Sequence, residues 1–387
     1  MPDIRPSIKN LLPWLVELRR TLHQCPEIMY QETETSAIAR RVLEESGLTV
    51  TGGFGGTGLA AIWDSGRPGP TIAFRADMDG LNITEPEGCP FGSRNPGLMH
   101  ACGHDFNLAL VLGLARLVSV GGLASLNGRV MFICQPAEEH GAGAAAMLRD
   151  GLFEKTARPD LIFAGHAEPL RPPGRMIINP GPIMAGVLDI HLTITGRGGH
   201  AGTPDSALNP LPAMARLITA ISAYKPPAGA LITLTMASCG ERTNVIAPEG
   251  SVSGTLRYYS PESCQTIQDY VERRCQEVAE DSRTRVKWKW VDGYPPTINS
   301  PDAAAVAREV ADSLLGPGCA GPEAPSYGGE DFSFFLEKVP GVFMFFGTGG
   351  APGGNHPLHS PNFSINEEAL PIGLEYWARL AEKLLRA

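Results

Sequence analysis

The order of its apolar runs constrains this chain most. Short stretches that are hydrophobic on both faces, at residues 59–63, 71–74, 129–134 and 161–164, alternate with segments of helical period near 11–22, 35–46, 108–118 and 143–149. A strand of that kind is stable only in a sheet covered on both sides, so the pattern specifies an α/β fold. Past Gly186 the texture changes: residues 187–194 alternate apolar and polar, as in a sheet with one solvated face. A helix over 211–223, strands over 230–237 and 250–258, a helix over 263–280 and a strand over 286–291 follow. This is the split βαβ order of a ferredoxin-like unit. The first pattern then resumes with a helix over 303–314 and a strand over 342–346. The expectation is an α/β domain formed by residues 1–184 and 296–387, with a smaller α+β domain, residues 185–295, inserted into it.

At 387 residues and 43% hydrophobic, the chain can build two such cores. A net charge of -9 without clustered Lys or Arg argues against a nucleic-acid surface. It does not argue against a small anionic substrate, because one Arg suffices to hold a carboxylate. Arg5, Lys9, Glu17, Arg19 and Arg20 interrupt the N-terminal region, so neither a signal peptide nor a membrane span is expected. The eight cysteines follow no framework of spacings and read as reduced thiols of a cytoplasmic protein.

Four segments carry side chains suited to metal chemistry. A histidine taken singly is more often a surface or core residue than a ligand, so position decides. Cys102-Gly103-His104 precedes an apolar helix; both side chains can face one ion, with Asp105 orienting His104. The alternative is a free thiol in a polar loop. Glu138-Glu139 follows a fully apolar strand, where two carboxylates are unfavourable unless paired, protonated or bound to a cation. Adjacent side chains diverge, so one can bind metal while the other faces a metal-bound water. The competing explanation is a surface pair opening a helix, favoured by the macrodipole. His166, after another apolar run, and His359, in a loop punctuated by Pro357 and Pro361, complete the set. One thiol, three imidazoles and at least one carboxylate exceed a single open tetrahedral site. They suit two ions sharing a bridge, roughly 3.5–4 Å apart. The donors favour zinc-like ions, and the carboxylate keeps manganese open.

The chain also resembles the dinuclear-metal amidohydrolases related to hippurate hydrolase and the indole-acetyl-amino-acid hydrolases, a branch of the aminoacylase and glutamate-carboxypeptidase superfamily. The resemblance rests on segments in order along nearly the whole chain. These are Arg19-Arg20-Thr21-Leu22-His23 with Pro26-Glu27, Phe74-Arg75-Ala76-Asp77-Met78-Asp79-Gly80-Leu81, His100-Ala101-Cys102-Gly103-His104-Asp105 and Gln135-Pro136-Ala137-Glu138-Glu139. Then come Gly196-Arg197-Gly198-Gly199-His200-Ala201-Gly202-Thr203-Pro204, Arg242-Thr243-Asn244-Val245-Ile246, Gly254-Thr255-Leu256-Arg257, Gly329-Glu330-Asp331-Phe332 and His359-Ser360-Pro361-Asn362-Phe363.

The resemblance implies a zinc-peptidase-like α/β catalytic domain with an inserted lid and dimerisation domain. It implies two divalent ions, zinc or manganese, on Cys102, His104, Glu139, His166 and His359, with the Cys102 thiolate as bridge and Glu138 as general base and acid. It further implies that His200 reaches a neighbouring subunit's active site, making the enzyme a homodimer. Asn244 and Arg257 would hold the free carboxylate of an N-acyl amino acid such as a hippurate-like or acetyl-amino acid. For Arg257 a surface ion pair is the competing role. Asp77 and Glu330 would orient ligands. A dipeptidase or aromatic-amine deaminase on the same scaffold is the alternative activity. A non-catalytic binding relative would have no use for Glu138 beside Glu139. Two departures stand out. The family's usual His-Asp-Gly-His run is here His104-Asp105-Phe106-Asn107, and Glu168 stands where relatives often carry an aromatic residue. Both fall near the metal loops, so a shifted substrate preference is expected.

Overall fold

The computed structural model describes residues 4–121, 127–351 and 354–386. In chain order it comprises α1 (Arg5–His23), α2 (Thr33–Glu45), β1 (Val50–Phe54), β2 (Gly58–Asp64), β3 (Thr71–Asp77), α3 (His104–Ser119), β4 (Arg129–Gln135), α4 (Gly143–Arg149), α5 (Leu152–Lys155), β5 (Leu161–Glu168), β6 (Met176–Ile177) and β7 (Gly181–Met184). There follow β8 (Gly186–Thr195), β9 (Gly199–His200), α6 (Leu211–Ser222), β10 (Ala230–Cys239), β11 (Val245–Ile246), β12 (Glu249–Tyr258), α7 (Pro261–Ser282) and β13 (Arg285–Asp292). The chain closes with β14 (Thr297–Asn299), α8 (Pro301–Leu315), β15 (Ala320–Gly321), α9 (Ser333–Leu336), β16 (Gly341–Gly347) and α10 (Ala369–Leu385). No helix among the described residues is long and apolar enough to cross a membrane.

The chain divides into two compact units. The first comprises Met1–Ile183, Ile298–Ala324 and Asp331–Ala387; the second comprises Met184–Thr297 and Pro325–Glu330. The sequence pattern gives no hint that Pro325–Glu330 joins the second unit.

In the first unit eight strands form one sheet in the order β1-β2-β4-β3-β5-β16-β6-β15. Its centre, β4-β3-β5-β16, is parallel, whereas β1, β2 and β6 run antiparallel to a neighbour. β3 and β16 are buried end to end and β4 is buried from Val130 onward, as their continuous apolar runs require. Consecutive parallel strands β3 and β4 lie side by side, and β5 then pairs with the opposite edge of β3. That reversal of winding opens a crevice beyond the carboxyl ends of these strands, where ligand sites form in open α/β sheets.

From Leu108 to Ala115 helix α3 is apolar on every side because it is buried on every side, packing on the sheet through β3 and against α1 and α10. Helix α10, absent from the sequence expectations, contributes Trp377, which is 1% exposed. Its ring packs edge-on against Phe74 and Phe346, with centroids 5.1 and 5.2 Å away. Helix α2 stops where its Gly signal predicts. Gly47 takes φ +75, and its N–H donates to the Glu44 carbonyl over 2.8 Å.

The second unit is ferredoxin-like. Its order is β8-α6-β10-β12-α7-β13 and its four-stranded sheet runs β10-β12-β8-β13, antiparallel throughout. One face is covered by α6 and α7, burying Ile190, Leu192, Ile194, Leu217, Ile267 and Val271 together. The Ser260 hydroxyl caps α7 by accepting the Ser263 N–H.

Replacing Trp377 by Ala should empty the largest fully buried side chain of the first unit and cost about 3–5 kcal/mol of its stability. Denaturant titration monitored by fluorescence should show the first unit's transition at lower denaturant and leave any separate transition of the second unit in place.

Candidate metal centre

Three strand ends, one helix start and the loop carrying His359 supply the centre. Asp77 ends β3 and Asp79 lies two residues beyond it. Strand β4 runs into a turn at 136–142 that presents Glu138 and Glu139. His166 lies within β5, not after it: the strand continues past the apolar run to Glu168, because pairing with β16 holds Phe345 opposite His166. His104 is the first residue of α3, and Gly103 before it takes φ +82. A Cβ on Gly103 would stand 2.7 Å from the Ala167 Cβ, so no other residue fits at this junction. His359 has a left-handed backbone, φ 63, and its N–H donates to the Ala101 carbonyl over 2.8 Å.

The turn after β4 is unusual in holding three non-glycine residues with positive φ, Ala137 (54), His140 (66) and Ala142 (51). Such a backbone persists only when its surroundings fix it. Asp79 accepts the Glu138 N–H on Oδ1 at 3.1 Å and the Glu139 N–H on Oδ2 at 2.9 Å. Glu32 accepts the Ala137 N–H over 2.9 Å.

Six of the sequence-selected residues converge. Cys102 Sγ lies 3.4 Å from His166 Nε2 and 3.3 Å from His359 Nε2. His359 Nε2 is 3.1 Å from Glu139 Oε1, and His104 Nε2 is 3.9 Å from Glu138 Oε2. The donor atoms fall into overlapping groups, Cys102-His104-His166, Cys102-Glu139-His359 and His104-Glu138-Glu139, each within 4.8 Å. Cys102 belongs to two of them. The imidazoles are aimed: His104 Nδ1 donates to the Asp79 carbonyl over 2.8 Å, and His166 Nδ1 to the Ala167 carbonyl over 2.9 Å. Both therefore turn Nε2 toward the centre, and the buried His104 Nε2 has no hydrogen-bond partner.

The electrostatics of the centre suit a cation. Burial opposes charge on His104, but Asp77, Asp79 and Glu139 outweigh it and push the imidazole up to about 10. Burial, then Glu139 and Glu138, push the Cys102 thiol well above its ordinary value. Burial takes His166 down to about 4, leaving a neutral imidazole with a lone pair. Glu139 falls to about 2 despite burial, chiefly through its bond to His359 and the charge of His104. An orphaned imidazole nitrogen, a thiol facing carboxylates and a surplus of buried negative charge all fit a bound cation.

Asp105 does not orient His104. Successive helical side chains diverge by about 100°, so Asp105 turns away and meets His23 Nδ1 at 2.7 Å and Arg19 Nε at 2.9 Å. The residue that does orient His104 is Asp79, which the sequence places in the Phe74–Leu81 segment without singling it out. Asp77 backs the centre, accepting from Arg75 Nη1 at 2.7 Å and Asn107 Nδ2 at 2.9 Å. Glu330 falls in the second unit, where its carbonyl accepts the Thr297 hydroxyl over 3.3 Å.

The other selected residues also belong to the second unit. His200 is exposed on β9, pairs with Val245 of β11 and accepts the Gly202 N–H on Nδ1 at 2.9 Å. Asn244 adjoins it, its carbonyl accepting the Ala201 N–H over 3.0 Å. Arg257 is half-buried on β12, in register with Val187. The β9-β11 ribbon continues beyond Thr195, at the other end of β8. Eight strand residues, about 26 Å, therefore separate the Arg257 end from the His200 end.

Asp79→Asn removes one acceptor from the clamp on Glu138 and Glu139. It should weaken metal binding about 10–100-fold while the fold persists, as loss of an outer partner of a ligand typically does. Zinc competition with a chromogenic chelator measures it.

Known proteins give the comparison. The model of peptidase family M20/M25/M40 matches residues 73–383. An N-acetylcysteine deacetylase of Bacillus subtilis (strain 168) is 35% identical over 95% of this chain and 96% of its own length. IAA-amino acid hydrolase ILR1-like 2 of Arabidopsis thaliana is 31% identical over 97% of this chain and 86% of that protein. The crystal structure of a dinuclear metal binding peptidase from the M20 family of Bacillus subtilis superimposes with TM-score 0.86 at 34% identity, covering 97% of this chain and 99% of the other. Matched along almost its whole length in sequence and in fold, this chain belongs to peptidase family M20/M25/M40.

Proposed function

We propose that the protein is a metal-dependent amidohydrolase that cleaves an N-acyl amino acid, such as an acetyl- or hippurate-like amino acid, to a carboxylate and the free amino acid. The observation that carries this reading is the convergence of Cys102, His104, Glu139, His166 and His359 around a buried centre, with Glu138 beside it. The relatives named above, a deacetylase and an amino-acid-conjugate hydrolase, support the substrate class.

Two divalent ions would be held by these five residues, with Cys102 shared between them. Thiolate and imidazole favour zinc, while Glu139 leaves manganese open. When bound, the ions supply Lewis acidity toward the scissile carbonyl and the attacking water. The chain's own residues do the rest. Glu138, fixed through its N–H to Asp79, takes the proton of the attacking water and returns it to the leaving amine. Neutral His166 directs its lone pair inward, and the bond from His104 Nδ1 to the Asp79 carbonyl keeps His104 Nε2 aimed at the same centre.

His200 and Asn244 at one end of the ferredoxin-like sheet and Arg257 at the other are too far apart for one small substrate to touch both within a single chain. This supports a homodimer, in which His200 and Asn244 of one copy stabilise the oxyanion and substrate of the other, and Arg257 receives the free carboxylate. Eight unpaired cysteines suit a cytoplasmic location.

Reconstituted with zinc or manganese, the protein should release amino acid from a panel of acetyl-, benzoyl- and indole-acetyl-amino acids; failure on every amide overturns the reading, and ammonia release alone would select a deaminase. Cys102→Ala should lose metal and activity together. Glu138→Gln should keep both ions and lose about 10²–10⁴ in turnover, the usual contribution of general acid–base catalysis. Equal metal loss in both variants would contradict these roles.

Mixing His200→Ala with Glu138→Gln subunits tests the dimer. If His200 acts across the interface, the mixed dimer regains one complete centre and up to about a quarter of wild-type activity. If it acts within its own chain, mixing restores nothing.

A further inference from the structure

A second cluster of ligand-type side chains lies in the α/β unit and takes no part in the proposed reaction. It joins His23, the last residue of α1, to Glu85 and Cys89 in the irregular segment before Cys102. His23 Nε2 stands 3.2 Å from Glu85 Oε1, the Cys89 thiol is within hydrogen-bonding reach of Glu85, and the three donor atoms lie within 4.8 Å of one another. An ion with bonds of about 2.0–2.3 Å spaces tetrahedral ligands about 3.3–3.8 Å apart, close to this arrangement.

The imidazole is oriented for such a role. Its Nδ1 faces Asp105 Oδ2 at 2.7 Å, and the same carboxylate oxygen is 2.9 Å from Arg19 Nε. A carboxylate paired with a guanidinium serves as an acceptor, so Nδ1 carries the proton and Nε2 points at Glu85. This is the carboxylate–histidine–metal pattern seen behind ligating histidines. Two acceptors facing each other at 3.2 Å require a cation or a proton between them. The charge of Arg19 is already shared by Asp105 and by Glu367 at 3.6 Å.

His23 is buried, Glu85 and Cys89 are half-buried, and all three line a cavity of about 410 Å³ that offers entry and room for a water as fourth ligand. Imidazole, carboxylate and thiolate together select a zinc-class ion over magnesium or calcium. We propose that His23, Glu85 and Cys89 bind a zinc-class divalent cation at a third site, sharing no ligand with the dinuclear centre and tying the end of α1 to the segment around Glu85 and Cys89.

The test compares metal content of wild-type and Cys89→Ser holoprotein after equilibrium dialysis against zinc, and repeats it with cobalt, whose thiolate charge-transfer band reports sulfur ligation. Cys89→Ser should bind one ion per subunit fewer than wild type, lose the corresponding share of the band and still hydrolyse amides. Glu85→Gln should weaken the same ion at least tenfold. Equal ion counts and equal bands in wild type and Cys89→Ser overturn the site and leave a proton between His23 and Glu85. Because the readout is a difference, it stands apart from the proposed activity. Turnover without the difference removes only this site, and the difference without turnover removes only that activity.

Discussion

Both carboxylate oxygens of Asp79 are spent on the backbone N–H groups of Glu138 and Glu139, and its carbonyl holds the His104 ring. One residue, placed just beyond the central strand, thus aligns groups contributed by α3 and by the turn after β4. Without it the left-handed residues Ala137, His140 and Ala142 would have little reason to keep a conformation that places two adjacent carboxylates on the same buried centre. The sheet order makes this possible, since β3 has β4 on one side and β5 on the other.

Such concentration has an electrostatic consequence. Cys102, Glu138, Glu139, Asp77 and Asp79 are all buried within one centre. Arg75 counters part of this from behind, bound to Asp77 at 2.7 Å and Asp331 at 2.9 Å. At the front of the centre His104 is driven toward protonation and the Cys102 thiol away from ionisation. Divalent cations reverse both tendencies, because they favour a thiolate and a neutral imidazole. The protein therefore holds its ligands in an arrangement that is electrostatically unfavourable without metal, and metal binding should contribute to stability as well as to chemistry.

How much of this is legible in the sequence depends on distance along the chain. Alternating strands and helices mark both units, because hydrophobic period is local. Five of the six converging residues are legible because each stands at or beside the end of an apolar run, whereas His359 lies in a loop between Pro357 and Pro361 and is marked by the His359–Phe363 segment. Helix α10 went unread although Leu370, Leu374, Trp377 and Ala381 follow helical spacing. Pro325–Glu330 could not be read as part of the second unit, since its attachment rests on long-range backbone bonds such as Ala185 N–H to the Ser326 carbonyl. The partner of Asp105 is likewise set by tertiary packing: His23 lies 82 positions away, and only the folded chain brings it there.

The same limit reshapes the argument from the run His104-Asp105-Phe106-Asn107. Beside the ligands in sequence, Phe106 and Asn107 look like candidates for altering the substrate pocket. In the fold Phe106 is fully buried, its ring 6.4 Å from Phe346 and edge-on to it. Asn107 is buried too, donating to Asp77 at 2.9 Å and accepting the Ala167 N–H at 3.1 Å, so that it bridges β3 and β5 behind the metal ligands. Glu168 folds back to accept the Leu170 N–H at 3.0 Å. These departures are absorbed by the scaffold that supports the centre. An amide fits the bridging position because it donates to a carboxylate and accepts from a backbone N–H at once, and it does so without titrating. Phe106 and Asn107 are buried behind the ligands, so any influence they have on substrate preference runs through the ligands they support.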